Sequence, residues 1–239
     1  MIKAKKSLSQ NFLFDKNISN KIVNQSNIKN KIVLEIGPGY GFLTDTILDN
    51  SPKKLYLVEK DINLIKLLKL KYSNNPKIIF LGDDILNINL DSFNDLIVIS
   101  NLPYNISTKI VLHLFKFNQN ISEMILMIQK EVAEKFDYSS VNMNKYKFLT
   151  KIICNYSKCF EVSPKVFNPK PKVRSMIVKF RFKKEIIDYK KAKNFSNLIF
   201  KNVRKKINNN INLDIKDKIL NKRVNELSIE ELLYIYNFF

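Results

Sequence analysis

The chain has 239 residues, of which 45% are apolar. That length suits one full-sized domain with a small appendage, and the apolar content excludes a disordered protein. Lys and Arg number 41 against 22 Asp and Glu, which gives a formal net charge of +19. Because such an excess repels itself in a compact chain, it predicts an anionic partner, most commonly nucleic acid. The 17 Phe and 10 Tyr residues can supply surfaces on which bases stack.

Sequence features that would place the chain in a membrane or an oxidising compartment are not evident. No apolar run approaches the roughly 20 residues of a membrane span, and no signal-peptide core follows the basic start. Cys154 and Cys159 have no histidine nearby, so we expect two buried, reduced thiols and no metal site. His113, the one histidine, is expected to be a packing residue. We therefore expect a cytoplasmic, monomeric protein that does not contact membranes.

Short apolar runs alternate with amphipathic segments from Lys31 to Phe182, a pattern typical of βαβ units around a parallel sheet. Strands are predicted at residues 32–36, 55–58, 78–81, 96–99, 121–128, 148–154 and 175–182. Helices are predicted at residues 42–48, after the second strand, and at 106–115. The sequence thus predicts an α/β, Rossmann-like fold.

The pattern changes after Lys184, where no strand pattern remains. Between Asp188 and Arg223 there are eleven Lys or Arg residues against three Asp. Ser228-Ile229-Glu230-Glu231 predicts a capped helix start near the end of the chain. We expect residues 185–239 to form a small, all-helical, basic domain that docks on RNA or the ribosome. Within it, the run Arg204-Lys205-Lys206 is the best candidate for phosphate contacts.

A glycine-rich loop, Gly37-Pro38-Gly39-Tyr40-Gly41, follows the first predicted strand. Glycines there let the backbone approach a ligand at the carboxyl edge of the sheet, although such a loop alone can be only a tight turn. Glu59 ends the second strand, where a carboxylate can accept ribose hydroxyls, and Asp83 or Asp84 ends the third, near an adenine amine. Because the loop carries no Lys or Arg for a phosphate, a nucleoside ligand is favoured. S-adenosylmethionine fits these features.

The tetrapeptide Asn101-Leu102-Pro103-Tyr104 follows the fourth predicted strand. Pro103 makes a rigid corner beside the cofactor. An adenine amine is a poor nucleophile, and the Asn101 side-chain oxygen with the Leu102 carbonyl can accept its hydrogens. Tyr104 can stack on a base that has left its helix. The alternative is a structural turn with a core tyrosine.

Several motifs in order carry a resemblance to a known family. They are K-S-L-S-Q-N-F-L from Lys6, E-I-G-P-G-Y-G from Glu35, N-L-P-Y-N-I-S from Asn101, Q-K-E-V-A from Gln129 and V-S-P-K-V-F-N-P-K-P-K-V from Val162. Over nearly its whole length the chain resembles the ribosomal RNA adenine dimethyltransferases, and specifically their small-subunit branch. The resemblance implies a class I methyltransferase domain over residues 1–184. It assigns cofactor binding to Asn11, Leu13, Gly37, Gly39, Glu59, Asp84 and Asn101. It places the target amine at Asn101, Leu102, Pro103 and Tyr104, with Phe167 on the other face of the base.

The resemblance implies an activity and its partners. The expected reaction is N6,N6-dimethylation of two adjacent adenosines near the 3′ end of small-subunit rRNA, with S-adenosylmethionine as cofactor. The immature small subunit is the expected partner, and a role in its assembly is expected too. Two alternatives remain open: a large-subunit rRNA adenine methyltransferase and a non-catalytic RNA-binding assembly factor.

The chain departs from the family pattern at several positions outside the glycine loop and the tetrapeptide. Ser9 replaces a usual Gly, Arg174 a usual Asp, and Lys147-Phe148 a usual Gly-Arg. The C-terminal domain is also shortened between Asn210 and Lys222. We therefore expect the chemistry to be retained, while the details of ribosome docking differ. Asp84 is preferred to Asp83 for the adenine because it precedes an apolar pair, as in the family.

Overall fold

A computed structural model of the chain describes residues 11–82, 84–140, 142–213 and 217–239. Its strands are β1 (Phe12–Leu13), β2 (Ile32–Ile36), β3 (Lys54–Val58), β4 (Ile78–Phe80), β5 (Leu96–Asn101), β6 (Ile121–Gln129), β7 (Cys154–Val162), β8 (Phe167–Asn168) and β9 (Ser175–Phe182). Its helices are α1 (Lys16–Val23), α2 (Phe42–Asp49), α3 (Ile62–Lys71), α4 (Ser107–Leu114), α5 (Lys130–Phe136), α6 (Lys145–Ile153), α7 (Tyr189–Ile199) and α8 (Ile229–Asn237). The order of strands and helices confirms the predicted α/β class.

The main sheet has seven strands in the order β4-β3-β2-β5-β6-β9-β7. Strands β2 to β6 run parallel, whereas β9 lies antiparallel between β6 and β7. The strand order reverses direction between β2 and β5, where β3 and β4 lie on one side and β5 and β6 on the other. A ligand cleft is expected outside the carboxyl ends of the strands at such a point. A second, two-stranded sheet pairs β1 with β8.

Two apolar layers cover the sheet, and β2 shows how its sequence divides between them. Leu34 and Ile36 belong to the core on one face, and Val33 belongs to the core on the other. All three are at most 3% exposed. Because strand side chains alternate between faces, a continuous apolar run is what a strand covered on both sides requires.

One predicted strand was wrong. Residues 148–153 lie in helix α6, and the strand that follows begins only at Cys154. The Asn144 side chain starts this helix by accepting from the backbone N–H groups of Tyr146 and Lys147 at 2.8 and 3.1 Å. Every residue from Lys147 to Ile153 except Lys151 is buried. The helix therefore lacks the polar face by which a helical period would be recognised.

The prediction for the two cysteines was partly wrong. Both are free thiols, and Cys154 is buried, but Cys159 is only half-buried. Cys159 lies on β7, the edge strand of the sheet, beside the irregularity between Lys158 and Phe160. An edge strand next to a bulge has one side open, which explains the partial exposure.

The segment after β9 is helical and shares its core with the sheet. The predicted helix start is confirmed, because Glu231 N–H donates to Ser228 Oγ at 3.1 Å and the Glu231 carboxylate accepts from Ser228 N–H at 2.9 Å. Phe148 of α6 packs against Phe195 and Tyr236, with ring centroids 5.0 and 5.7 Å apart. One apolar cluster thus contains residues from before and after residue 184. The domain boundary placed at residue 184 stays a prediction. In the described ranges, no helix combines the length and apolar character needed to cross a membrane.

Candidate active site

A cavity of about 260 Å³ opens at the carboxyl ends of β2, β3 and β5. Every residue predicted for the cofactor lines it: Asn11, Leu13, Gly37, Gly39, Glu59, Asp84 and Asn101. The rest of the predicted catalytic tetrapeptide, Leu102, Pro103 and Tyr104, lines it as well. The structure therefore brings segments separated by up to 93 positions in the chain to one cleft, from Asn11 to Tyr104. Asp83, the rejected candidate for the adenine contact, lies outside the described residues.

Two positions of the glycine loop have no room for a side chain. Gly39 and Gly41 have φ values of +60° and +81°, which L-residues rarely adopt. A Cβ at Gly39 would lie 2.8 Å from the Phe12 ring, and one at Gly41 would lie 2.3 Å from the Tyr72 hydroxyl. The Tyr72 hydroxyl lies 2.7 Å from Asp45 Oδ1 and 3.1 Å from the Gly41 carbonyl, so the end of α3 is held against the loop.

Glu59 connects the end of β3 to the glycine loop. One of its oxygens accepts from the N–H groups of Lys60 and Asp61 at 2.8 and 2.9 Å, and the other accepts from Gly39 N–H at 3.3 Å. A carboxylate has about four acceptor positions, so Oε2 keeps one for a further donor. Burial raises the pKa of Glu59, and the three backbone hydrogen bonds oppose that shift. The site can thus offer an oriented acceptor to a ligand hydroxyl.

Asp84 follows β4 and is held by two partners. Its Oδ2 accepts from Lys60 Nζ at 2.8 Å, and its Oδ1 accepts from the Leu86 backbone N–H at 3.0 Å. The Lys60 hydrogen bond is the main reason that the pKa of Asp84 is lowered, and the Leu86 bond adds to it. Asp84 therefore stays an ionised acceptor at neutral pH. Its pairing with Lys60 joins two cavity residues that sequence spacing did not connect.

The corner from Asn101 to Tyr104 presents a fixed acceptor to the cavity. Asn101 Nδ2 donates to the Asn11 carbonyl at 3.0 Å, which fixes the direction of the amide. Its Oδ1 is buried and has no hydrogen-bond partner within the described part of the chain. A buried, unsatisfied acceptor costs about 1–3 kcal/mol. Such a cost is typical of functional sites, where a ligand supplies the missing donor.

The neighbouring residues hold this corner in place. Ser100, fully buried, donates its hydroxyl to the Ile36 carbonyl at 2.5 Å and so joins the end of β5 to the end of β2. Leu102 N–H donates to the Met127 carbonyl of β6 at 3.1 Å. The Tyr104 hydroxyl shares a hydrogen bond of 2.5 Å with Ser175 Oγ. The tetrapeptide is thus attached to β6 and β9, and the residue before it is attached to β2.

Glu35 is a cavity residue that the sequence analysis left without a role. Its side chain is 1% exposed, and its Oε2 accepts from Thr44 Oγ at 2.6 Å. Burial raises the pKa of Glu35 to about 8, against the opposing effect of the Thr44 hydrogen bond. The carboxyl is therefore mostly protonated at neutral pH. A buried acid inside an otherwise apolar strand, two residues before the loop, was the signal available in the sequence.

Phe167 is not brought to the cavity. The ring is 3% exposed and belongs to the core layer that also contains Leu13, its partner in the β1–β8 pair. It is not among the described residues that line the cavity. To stack on a base, the ring would have to leave this position. Its role there stays a prediction.

Four further residues considered in the sequence analysis are not among the described residues that line the cavity. Arg204, Lys205 and Lys206 are exposed on the C-terminal segment, as phosphate contacts require. His113 is 8% exposed, with Nε2 3.2 Å from the Ile88 carbonyl and its ring against Phe117. That environment is one of packing. Across the described ranges, no group of three or more His, Cys, Asp or Glu side chains is arranged to hold a metal ion.

The strand order, the glycine loop after the first parallel strand and the carboxylates at the next strand ends define a class I, Rossmann-like methyltransferase. Solved structures share this fold. A dimethyladenosine transferase from Plasmodium falciparum superposes with a TM-score of 0.77 at 24% identity, covering 95% of this chain and 100% of that one. The 23S rRNA methyltransferase ErmE gives a TM-score of 0.74 at 22% identity, covering 95% and 98%.

Sequence comparison identifies the family. The model for ribosomal RNA adenine dimethylase matches residues 1–239. The ribosomal RNA small subunit methyltransferase A of Hydrogenobaculum sp. (strain Y04AAS1) is 37% identical over 240 residues, 99% of this chain and 94% of that protein. The protein of the same name from Pelagibacter ubique (strain HTCC1062) is 42% identical over 218 residues, 86% and 81% respectively. The chain belongs to the ribosomal RNA adenine dimethylase family and is an rRNA adenine dimethyltransferase.

The family and the fold imply S-adenosylmethionine as the methyl donor, and the cavity residues fit it. Glu59 Oε2 keeps an acceptor position for a ribose hydroxyl, and ionised Asp84 can accept from an adenine amine. Ile36, Leu64 and Ile85 line the same cavity with apolar side chains, which suits a purine. The loop from Gly37 to Gly41 contains no Lys or Arg, consistent with a ligand that carries no phosphate.

Proposed function

We propose that this protein dimethylates N6 of two adjacent adenosines near the 3′ end of small-subunit rRNA and that its partner is the immature small subunit. The proposal for the target is supported by the names of the relatives at 37% and 42% identity, which are small-subunit methyltransferases. The net charge of +19 suits a protein that binds RNA phosphates. Contacts by the exposed run Arg204-Lys205-Lys206 are part of this proposal.

One observation carries the proposed mechanism: the buried Asn101 Oδ1 without a partner among the described residues. The adenine N6 lone pair is conjugated into the ring, so the amine attacks only when its geometry becomes tetrahedral. Asn101 Oδ1 and the Leu102 carbonyl accept the two N6 hydrogens and stabilise that geometry as positive charge develops. Because the amide is already fixed by Asn11, no reorganisation is needed during the reaction.

The remaining residues position the two reactants. When bound, S-adenosylmethionine supplies an electrophilic methyl group on a sulfonium. Glu59 and Asp84 hold the nucleoside end of the cofactor, and the Tyr104 ring stacks on the extruded base. No protein base is required, because the amine's extra proton becomes acidic once the methyl is attached.

The test is methylation of small subunits in vitro. The purified protein is incubated with isotope-labelled S-adenosylmethionine and immature small subunits, and the modified bases are mapped along the rRNA. We expect N6,N6-dimethyladenosine at two adjacent positions near the 3′ end. Large subunits serve as the parallel substrate, and label confined to them would favour the large-subunit alternative. Tight binding of small subunits with no label transferred would favour a non-catalytic assembly factor.

A further inference from the structure

Ser175 is a buried residue that contacts the catalytic corner without lining the cavity. Its Oγ lies 2.5 Å from the Tyr104 hydroxyl, and its side chain is 0% exposed. It is the first residue of β9 and is not among the described residues that line the cavity. Tyr104 itself does line the cavity. The phenol is therefore anchored at its far end to the sheet.

We propose that Ser175 is a positioning residue, which fixes the Tyr104 ring on which the base stacks in the proposed function. The inference rests on the proposed function, in which the corner from Asn101 to Tyr104 receives an adenine. It adds a residue to that site.

The backbone of Ser175 is well suited to serve as an anchor. In the sheet it pairs with Gln129 of β6 on one side and with Val162 of β7 on the other. The preceding carbonyl, that of Arg174, accepts from the Lys130 backbone N–H at 3.1 Å. A residue held by strands on both sides and fully buried has little freedom to move its Oγ.

This anchor restricts the ring at its tip, and a second contact restricts the backbone that carries it. The hydroxyl lies on the long axis of the tyrosine ring, so the hydrogen bond to Ser175 fixes where that axis points. The backbone carbonyl of Tyr104 accepts from Ser107 Oγ at 3.1 Å. A ring fixed in this way can stack on an incoming base without first losing side-chain freedom.

The hydroxyl is poorly suited to proton transfer with the substrate. Burial raises the pKa of Tyr104 above its usual value, against the opposing effect of the Ser175 hydrogen bond, so the hydroxyl stays protonated at neutral pH. Its hydrogen bond goes to Ser175, which is not among the described residues that line the cavity.

Ser175 also joins two segments that sequence reasoning placed on opposite faces of the base. It ends the loop that begins at Ser163 and carries Phe167, while its partner Tyr104 lies on the corner after β5. One hydroxyl therefore links the segment predicted for one face of the base to the residue that stacks on the other.

The test compares Ser175→Ala, Tyr104→Phe and the double variant, each of which removes the same hydrogen bond. At saturating S-adenosylmethionine, we expect each to lower kcat on small subunits by roughly twofold to tenfold, the effect of one net hydrogen bond. The double variant should be no slower than either single variant, because the two changes remove one interaction. Cofactor affinity and the shape of the pH–rate profile should not change. Ser196→Ala, another fully buried serine whose hydroxyl donates to the Lys193 carbonyl, is the matched control and should keep the wild-type rate.

Two kinetic results, and a third result from NMR described below, would overturn the proposal. The first is an unchanged kcat in Ser175→Ala. The second is a Tyr104→Phe variant that is much slower than Ser175→Ala and has a shifted pH–rate profile, which would mean that the hydroxyl acts on the substrate. If Ser175→Ala fails to fold, Tyr104→Phe tests the same bond without altering β9.

A further readout does not depend on turnover. In the aromatic NMR spectrum of the free protein, the Tyr104 signals, assigned by their loss in Tyr104→Phe, should shift and show faster ring motion in Ser175→Ala. Unchanged signals would be the third result against the anchor, even if the wild-type protein methylated no small subunits. Absence of methylation by the wild type would instead contradict the proposed function.

Discussion

Replacement of Asn101 by alanine should separate catalysis from folding. The change removes the Nδ2 hydrogen bond to the Asn11 carbonyl, worth about 0.5–1.5 kcal/mol of stability. It also removes a buried Oδ1 that has no partner in the described part of the chain and whose burial costs about 1–3 kcal/mol. Because these effects oppose each other, the thermal midpoint of Asn101→Ala should lie close to that of the wild type.

The effect on the reaction should be far larger. An acceptor that interacts more strongly in the transition state than in the ground state contributes to kcat, and losing one comparable polar contact costs about 2.7–4 kcal/mol. We therefore expect Asn101→Ala to dimethylate small subunits about a hundred to a thousand times more slowly. Binding of immature small subunits, measured by filter retention, should stay near the wild-type affinity, because it depends on many surface cations.

The control is Asn118→Ala. Asn118 also has a buried Oδ1 without a partner among the described residues, and its Nδ2 donates to the Phe115 and Ile187 carbonyls. It does not line the cavity within the described ranges, so its replacement should leave kcat unchanged. Saturating S-adenosylmethionine is required, because Asn101 also lines the cofactor cavity. Normal dimethylation by Asn101→Ala under these conditions would refute the mechanism and favour the assembly-factor alternative.

Four further outcomes are expected. Glu59→Ala should weaken S-adenosylmethionine binding by about 1.5–3 kcal/mol, the range for hydrogen bonds to a charged group, and unchanged affinity in calorimetry would refute the ribose contact. Folded Glu35 holds its proton up to a pH of about 8, whereas the unfolded chain loses it near the usual pKa of 4.5. The free energy of unfolding of the wild type should therefore fall relative to that of Glu35→Gln as the pH rises between these values, by at most about 1.4 kcal/mol per pH unit. The same pH dependence of the unfolding free energy in both proteins would contradict the shift. Phe167→Leu, which keeps an apolar side chain in the core, should slow both methylations while cofactor binding is kept, and wild-type turnover would remove the ring from the site. Replacing Arg204, Lys205 and Lys206 with alanine should reduce the slope of log K against log salt by about two to three, and an unchanged slope would mean that the run makes no phosphate contact.

Much of the sheet could be predicted from the sequence because buried parallel strands produce short, continuous apolar runs. The predicted strands at residues 32–36 and 175–182 coincide with β2 (Ile32–Ile36) and β9 (Ser175–Phe182). The same rule failed at residues 148–154, because a helix that is buried on nearly all sides produces the same apolar run. Only the capping side chain of Asn144 marks the helix, and a single asparagine is equally common in loops.

The site was predictable where chemistry requires particular residue types at strand ends, as for Glu59, Asp84 and the corner at Asn101. The interactions that adjust these groups could not be predicted, because they join residues far apart in sequence. The Lys60–Asp84 ion pair and the 2.5 Å hydrogen bond between Tyr104 and Ser175 depend on side-chain directions that only the folded chain fixes. The burial of Phe167 is of the same kind, since it follows from the pairing of β8 with β1.

The aromatic contacts of Phe148 with Phe195 and Tyr236 have a consequence for the position of the target adenosine. Because they join the helical segment to the sheet through one core, the exposed cations of that segment stand at a set distance and angle from the Asn101 corner. If RNA phosphates bind at those cations, as proposed, the target adenosine reaches the cavity only when it lies at the matching distance along the folded rRNA. Under that proposal, the free energy of the distant contacts would help to hold the correct base against the methyl donor.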